Sequence, residues 1–370
     1  MRSESISELL QGRIDAGDFP STVYLVAEEG EIVLHDAVGL AVVEPERIEA
    51  TPDTIYDMAS VTKVLTTGLL TALLIETGEI SLDDCVADLL PEFGSEEKRA
   101  ITVAELLTHT SRLPAWKPLY LCVSDAEDVM VEIDRTPLRS NQPEVTYSDL
   151  NFITLGKIIE RISGQPLDEA AAMIYDALGL VDTCFRPPAS ARPRIAASEK
   201  GNMFERDTCR EQFPELSDPN YVFRTETIWG EVHDGNAHFM NGVSGHAGLF
   251  STAAETFEIA KQFMTGTTSL LSAEMCKLFR TNFTKGMNEH RSLAFQLAST
   301  PDSTAGPSMS PSSFGHLGFT GTSLWIDPVR ERVFVLLTNR THHRKLPFVL
   351  TNPTRRKFHE LAIEHLDRNS

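Results

Sequence analysis

The stretch Asp57-Met58-Ala59-Ser60-Val61-Thr62-Lys63-Val64-Leu65-Thr66 decides how the rest of the chain is read. The mostly apolar run that follows, from Val64 to Ile75, predicts a helix. On such a helix Ser60 and Lys63 lie one turn apart on the same face, so an amine can sit against a hydroxyl. A serine so placed can become a nucleophile without a histidine. Alone, the S-x-x-K spacing reads as an ordinary helix start, with Ser60 near the cap and Lys63 in solvent. What lies on either side changes that reading.

Upstream, Ile6 to Asp15 reads as a helix, and Val23 to Ala27 and Ile32 to His35 as two strands joined by the polar turn Glu28-Glu29-Gly30-Glu31. Downstream, Leu65, Leu69, Leu70, Leu73 and Leu74 recur at helical spacing, and Gly78 is placed to stop the helix. Further helices are expected at Val103 to Leu107, Ala126 to Ile133, Leu150 to Ile162 and Leu167 to Leu178. From Pro187 to Asn241 the chain reads as loop, punctuated by Pro187, Pro188, Pro193, Pro214 and Pro219. Helices over Ala254 to Met264 and Ala273 to Phe279 precede strand-like runs at Leu293 to Leu297, Phe314 to Phe319, Thr322 to Ile326 and Val333 to Leu337. A last helix is expected from Pro353 to Leu366, with Asn352 as its cap. Strands at both ends and helices between predict a mixed α/β (α+β) fold. Its sheet domain is expected from residues 1–65 and 236–370, and a helical lobe from 66–235 with a loop-rich segment at 187–235.

With 370 residues, 41% hydrophobic and 23% charged, the chain is long enough to bury a large core and has the composition of a globular protein. A formal charge of -20 argues against nucleic-acid binding, because phosphates would be repelled. The five scattered cysteines form no C-x-x-C pair and fit reduced thiols. The acidic, amphipathic start lacks a basic segment followed by an apolar one, and no stretch reads as long enough to span a bilayer, so a cytoplasmic protein without membrane contact is expected.

Two more motifs accompany Ser60 and Lys63. Tyr147-Ser148-Asp149 precedes a predicted helix, and His316-Leu317-Gly318 lies between strand-like runs. Together the three resemble the S-x-x-K, Y-x-N and K-T-G (or H-x-G) patterns of serine hydrolases related to class C β-lactamases. Leu106-Leu107-Thr108-His109-Thr110-Ser111 and the run Gly242 to Thr252 look like this family too. The resemblance spans about Val23 to Asn339. It implies an antiparallel sheet flanked by helices plus an inserted, mostly helical lobe, and an acyl-enzyme on Ser60 without cofactor or metal. It further implies a small-molecule ester or amide substrate.

The chemistry is intelligible residue by residue. An alcohol needs a nearby base, and Lys63 can serve if its pKa is lowered; Tyr147 can take the proton and pass it to the leaving group. The resemblance implies that the backbone N–H groups of Ser60 and Phe319 form the oxyanion hole. Gly318 would let a strand edge approach the ligand, and His316 would stand where many relatives have lysine. Asp149 replaces the asparagine of β-lactamases, exchanging an amide donor for an acceptor that is charged when ionised. Asp149 and His316 together shift the expectation from β-lactams and D-alanyl peptides towards less anionic esters, making a carboxylesterase the leading reading. A β-lactamase or D-alanyl-D-alanine carboxypeptidase is the first alternative, and a catalytically silent peptide-binding or scaffold relative the second. Arg112 stands where relatives often have glycine, leaving that loop's shape open. His233-Asp234-Gly235-Asn236-Ala237-His238 resembles a ligand set but lacks a third spaced group, so a hydrogen-bonded loop is the better expectation; His109 and His246 read as buried residues that pin turns.

Overall fold

Strands from both ends of the chain meet in one seven-stranded antiparallel sheet. The computed structural model describes residues 1–139, 144–216 and 221–369. Pro219 lies outside them. Among the described residues there are ten strands: β1 Ser21–Glu28, β2 Glu31–Val42, β3 Ile48–Glu49, β4 Tyr56–Asp57, β5 Cys184–Phe185, β6 Leu249–Ser251, β7 Gln296–Leu297, β8 Phe314–Leu317, β9 Ser323–Asp327 and β10 Arg332–Thr338. The large sheet runs β3-β2-β1-β10-β9-β8-β7. Its centre is the pairing of β1 with β10, in register from Thr22 opposite Thr338 to Glu28 opposite Arg332.

Side chains alternate across these strands as the pleat requires. Val23, Leu25, Val335 and Leu337 face the larger core, whereas Tyr24, Val26, Phe334 and Leu336 face a second one. The second face is covered by the N-terminal helix Glu4–Asp15, through Ile6 and Leu10, and by the C-terminal helix Asn352–Asn369, through Phe358 and Leu366. The larger core continues from the sheet into the inserted segment, where Leu107, Leu150 and Phe152 join it. A three-stranded sheet, β4-β6-β5, draws one strand from each part of the chain and ends three residues before Ser60.

Some expectations are corrected. Met203–Gln212 forms a helix inside the segment read as loop. Its buried residues are Glu205 and Cys209, so it carries no apolar stripe for periodicity to detect. The expected strand at Leu293 to Leu297 shrinks to β7. The helical run Ala59–Glu76, 18 residues with a mean hydropathy of 1.3, is long and apolar enough to cross a membrane, contrary to the expectation of none; 72% of it is buried in the fold, as a core helix requires.

A buried histidine ties β2 to the last loop. The Val43 N–H donates to His342 Nε2 at 2.8 Å, so the proton is on Nδ1, which meets the Ser198 carbonyl at 2.8 Å. Burial pushes the imidazole down from 6.5 to about 4. The unfolded chain therefore takes up this proton first as the pH falls. The interaction is complete above pH 6.5 and is lost down to about pH 4. The loss is about 3 kcal/mol. Urea unfolding of wild type and His342→Gln across that window will give a shallower pH dependence for the variant by this amount; parallel curves would contradict it.

Candidate active site

Ser60 sits in a short 3-10 turn, Ala59–Val61, that opens into the π-helical turn Lys63–Gly68 and then the α-helix Leu69–Glu76. Gly78, at φ 75°, closes the helix with its N–H on the Ile75 carbonyl, as expected. Ala59 is held at φ 48°, a left-handed conformation that costs a residue with a Cβ about 1–2 kcal/mol. Asp57 enforces it. One carboxylate oxygen accepts from the Ala59 N–H and the other from the His233 N–H, each at 2.8 Å. Strain of this kind is retained where it aims a reactive side chain.

Lys63 is fully buried beneath Ser60. Its Nζ donates to Ser60 Oγ at 3.0 Å and to the His246 carbonyl at 3.0 Å, and lies 2.7 Å from Asp149 Oδ1. Desolvation works against the ammonium, but Asp149 and then Tyr147 outweigh it and the pKa rises. The condition under which the amine could serve as base, a lowered pKa, is therefore not met. Asp149, one of the two departures from the family pattern, is the cause. Its own negative charge is offset by the same contact, so it does not act as an isolated anion beside the cavity.

Tyr147 and Asp149 flank Ser148, the cap residue of helix Asp149–Ser163. The Ser148 N–H donates to His109 Nδ1 at 2.9 Å and its Oγ to the Pro114 carbonyl at 2.6 Å, which fixes the turn. The Tyr147 ring packs 4.6 Å from His109 and 5.7 Å from His316, with Lys63 Nζ 5.0 Å from its centre. Burial pushes the phenol pKa up against the pull of Lys63. The hydroxyl is buried and closes no hydrogen bond among the described residues. His316 is fully buried, and desolvation, reinforced by Lys63 and Arg291, holds it well below its ordinary value. It is neutral at pH 7. Its Nδ1 meets the Leu317 carbonyl at 2.9 Å.

The loop Gly318–Thr322 is laced to the residues before Ser60. Thr320 Oγ1 donates to the Asp57 carbonyl at 2.9 Å, and Thr322 Oγ1 to the Met58 carbonyl at 3.0 Å. A Cβ on Gly318 would collide with Thr322 and the Met58 carbonyl, so here the glycine serves a close approach of two chain segments. From behind, Arg355 donates to the Gly318 and Thr322 carbonyls at 3.1 and 2.8 Å, and Arg340 to the Phe319 carbonyl at 2.5 Å. Arg112 keeps φ at 65°, so the loop has the backbone glycine would favour, and the Arg139 N–H donates to its carbonyl at 2.9 Å.

Ser60, Tyr147, Asp149, His316, Gly318 and Phe319 all line one cavity of about 560 Å3. All the expected site residues thus converge, with Lys63 under the floor. The same wall holds Trp116, Glu205 and Arg291, which sequence reasoning missed, and Asp234, read there only as part of a hydrogen-bonded loop. Burial, with Asp234 adding to it, raises Glu205 to about 7; its carboxylate accepts from the Gly235 N–H and Tyr120 hydroxyl, both at 2.8 Å. Ligand atoms of Asp149, Asp234 and His246 fall within 4.8 Å of one another. Each has a protein partner: Asp149 meets Lys63, and Asp234 Oδ1 meets His246 Nε2 at 2.9 Å and the Ala237 N–H at 2.8 Å. His233 bonds Glu199 at 2.9 Å, in keeping with a hydrogen-bonded loop.

A fold with a large antiparallel sheet, an inserted helical segment and a serine–lysine–tyrosine cluster at their junction defines a class, and comparison with known proteins gives it a name. The beta-lactamase family model matches residues 6–350, and the chain belongs to that family. A putative D-alanyl-D-alanine carboxypeptidase of Escherichia coli (strain K12) is 32% identical over 370 residues, covering 92% of this chain and 83% of the relative. Its Salmonella typhimurium (strain LT2) counterpart is 34% identical over 90% of this chain and 81% of its own length. Among solved structures, EstCE1, a hydrolase with promiscuous acyltransferase activity, superposes with a TM-score of 0.73 at 19% identity, covering 96% and 97% of the two chains. The class C beta lactamase from Rhodobacter sphaeroides gives 0.71 at 20% identity over 98% and 99%. These structural likenesses carry the fold.

Proposed function

We propose that this protein is a serine hydrolase that forms an acyl-enzyme on Ser60 and acts as a carboxylesterase on small acyl esters. The observation that carries the reading is the Lys63 ammonium held between Ser60 Oγ at 3.0 Å and Asp149 at 2.7 Å, under a cavity that Tyr147 also lines. Because Asp149 keeps Lys63 protonated, the amine is not the resting base. As Ser60 Oγ attacks the ester carbonyl, its proton passes to the Tyr147 oxygen while the Tyr147 proton passes to the leaving oxygen. Lys63 stabilises the phenolate character that develops. Water then attacks the acyl carbonyl, gives its proton to the same phenol, and Tyr147 returns one to Ser60 Oγ as the acyl bond breaks. The backbone N–H groups of Ser60 and Phe319 take up the charge on the carbonyl oxygen. Esters are favoured over β-lactams because the two positions where β-lactamases keep an amide and an ammonium hold Asp149 and a neutral His316.

A D-alanyl-D-alanine carboxypeptidase is the second reading, supported by the names of the relatives that share about a third of their residues with this chain. Turnover of p-nitrophenyl acetate and butyrate, nitrocefin and a peptide ending in D-Ala-D-Ala separates the readings. The esters are expected to give the highest kcat/KM. A preference for the peptide over every ester would put the carboxypeptidase in place of the esterase, and a preference for nitrocefin a β-lactamase.

A further inference from the structure

His316 brings to the cavity wall a hydrogen-bond acceptor that the proton transfers leave without a task. It lies on β8 opposite Leu324, is 2% exposed, and lines the cavity that holds Ser60. Its Nδ1 meets the Leu317 carbonyl at 2.9 Å. A carbonyl only accepts, so the proton of the neutral ring is on Nδ1 and Nε2 holds a lone pair. Nε2 is buried and has no hydrogen-bond partner among the described residues. The same nitrogen is unpaired in His109 and His359, but neither ring lines this cavity, so of the three His316 is the one that a bound molecule can complete.

Leaving a buried acceptor without a donor is costly, and a ligand that displaces water from such a nitrogen without replacing its hydrogen bond loses affinity. The surroundings narrow the donor. A carboxylate has no proton to give. An ammonium would have to lie beside Lys63 and Arg291, whose charges are felt at this ring. A hydroxyl meets neither objection, and its own lone pairs can face those cations. Position narrows the choice further. The His316 ring packs 5.7 Å from that of Tyr147, whose hydroxyl is likewise buried and unpaired among the described residues. In the proton transfers proposed above that phenol protonates the leaving oxygen, which places the His316 acceptor on the leaving-group side.

We propose that His316 Nε2 accepts a hydrogen bond from a second hydroxyl on the leaving alcohol, so that the preferred esters are monoesters of small diols and polyols. This rests on the acyl-enzyme reading for the side of the cavity, but not for the acceptor. It narrows the expectation of less anionic esters to alcohols that carry a hydroxyl beside the ester oxygen.

Matched esters test it. 2-Hydroxyethyl butyrate is compared with 2-methoxyethyl butyrate, which keeps the oxygen and removes the donor from the leaving group. Propyl 3-hydroxybutyrate is compared with propyl 3-methoxybutyrate, which removes the donor from the acyl group. Wild type is expected to favour 2-hydroxyethyl butyrate over its methoxy partner roughly tenfold or more in kcat/KM. In His316→Leu that ratio falls to near one, and His316→Gln, which keeps an acceptor, retains part of it. A preference confined to the hydroxybutyrate pair would overturn the leaving-group placement. No preference in either pair, or one that survives in His316→Leu, would overturn the acceptor itself. Should His316→Leu fail to fold, His316→Gln and the 15N resonance of His316 Nε2 in Ser60→Ala decide the matter. That resonance should move on binding 2-hydroxyethyl butyrate and not its methoxy partner, equal shifts counting against the acceptor. If no ester is turned over and Ser60 is not labelled by a fluorophosphonate, the hydrolase reading fails. The same resonance titrated with ethylene glycol and with 1,2-dimethoxyethane then judges the acceptor alone: a shift with the diol only supports it, and equal or absent shifts refute it.

Discussion

Replacing Ser60 with alanine will abolish ester turnover and labelling by a fluorophosphonate. A drop of about 10^4-fold or more in kcat is expected, because no group takes over a lost nucleophile. Intact mass shows the adduct, and peptide mapping should locate it on the fragment carrying Ser60. Removing the hydroxyl takes one acceptor from Lys63 and leaves the Asp149 and His246 contacts, so the melting temperature should change little. Labelling at Ser244 or Ser251, or activity that survives in Ser60→Ala, would place the nucleophile elsewhere.

Lys63 and Tyr147 should behave as one unit with Ser60. Lys63→Ala and Tyr147→Phe are each expected to slow acylation by roughly 10^3-fold or more, and the double variant by little beyond the worse of the two, since members of one proton path are not additive. Losses that multiply would mean that the residues act separately. The two single variants should differ in stability. Lys63→Ala strands Asp149, whose side chain is 16% exposed, and should cost about 3 kcal/mol. Tyr147→Phe removes a hydroxyl that closes no hydrogen bond among the described residues and should cost far less.

The sequence was most legible where local chemistry and periodicity coincide. The β1–β2 hairpin, the helix Val103–Leu107 and the last helix follow from turn residues, capping and apolar spacing, and the structure has them within a few residues. Ser60, Tyr147, Asp149 and His316 were visible because three short motifs stand in order. Other features depend on residues distant in the chain. Nothing near Asp149 announces that it will lie 2.7 Å from Lys63 and raise the amine pKa. Arg291 lies in a stretch without clear periodicity, and what sets it apart is that its Nε and Nη1 have no acceptor among the described residues, which no spacing encodes. The helix Met203–Gln212, polar on most of its surface, has its place fixed by Glu205 bonding Tyr120 and Gly235 from other segments.

The pairing of β1 with β10 also sets a clock. Ser21 and Asn339, whose backbone N–H and side chain bond at 3.0 Å across this seam, are 318 positions apart. At ribosomal rates the second partner emerges on the order of 15–60 s after the first. During that interval the β1–β2 hairpin carries an unpaired edge with Val23, Leu25 and Val26 on it, a template for pairing with another chain. The helices of the inserted segment can form first but have no completed sheet to rest on. Yield during synthesis will therefore respond more to charges that guard β1, and to whether synthesis reaches β10, than to anything at the catalytic serine.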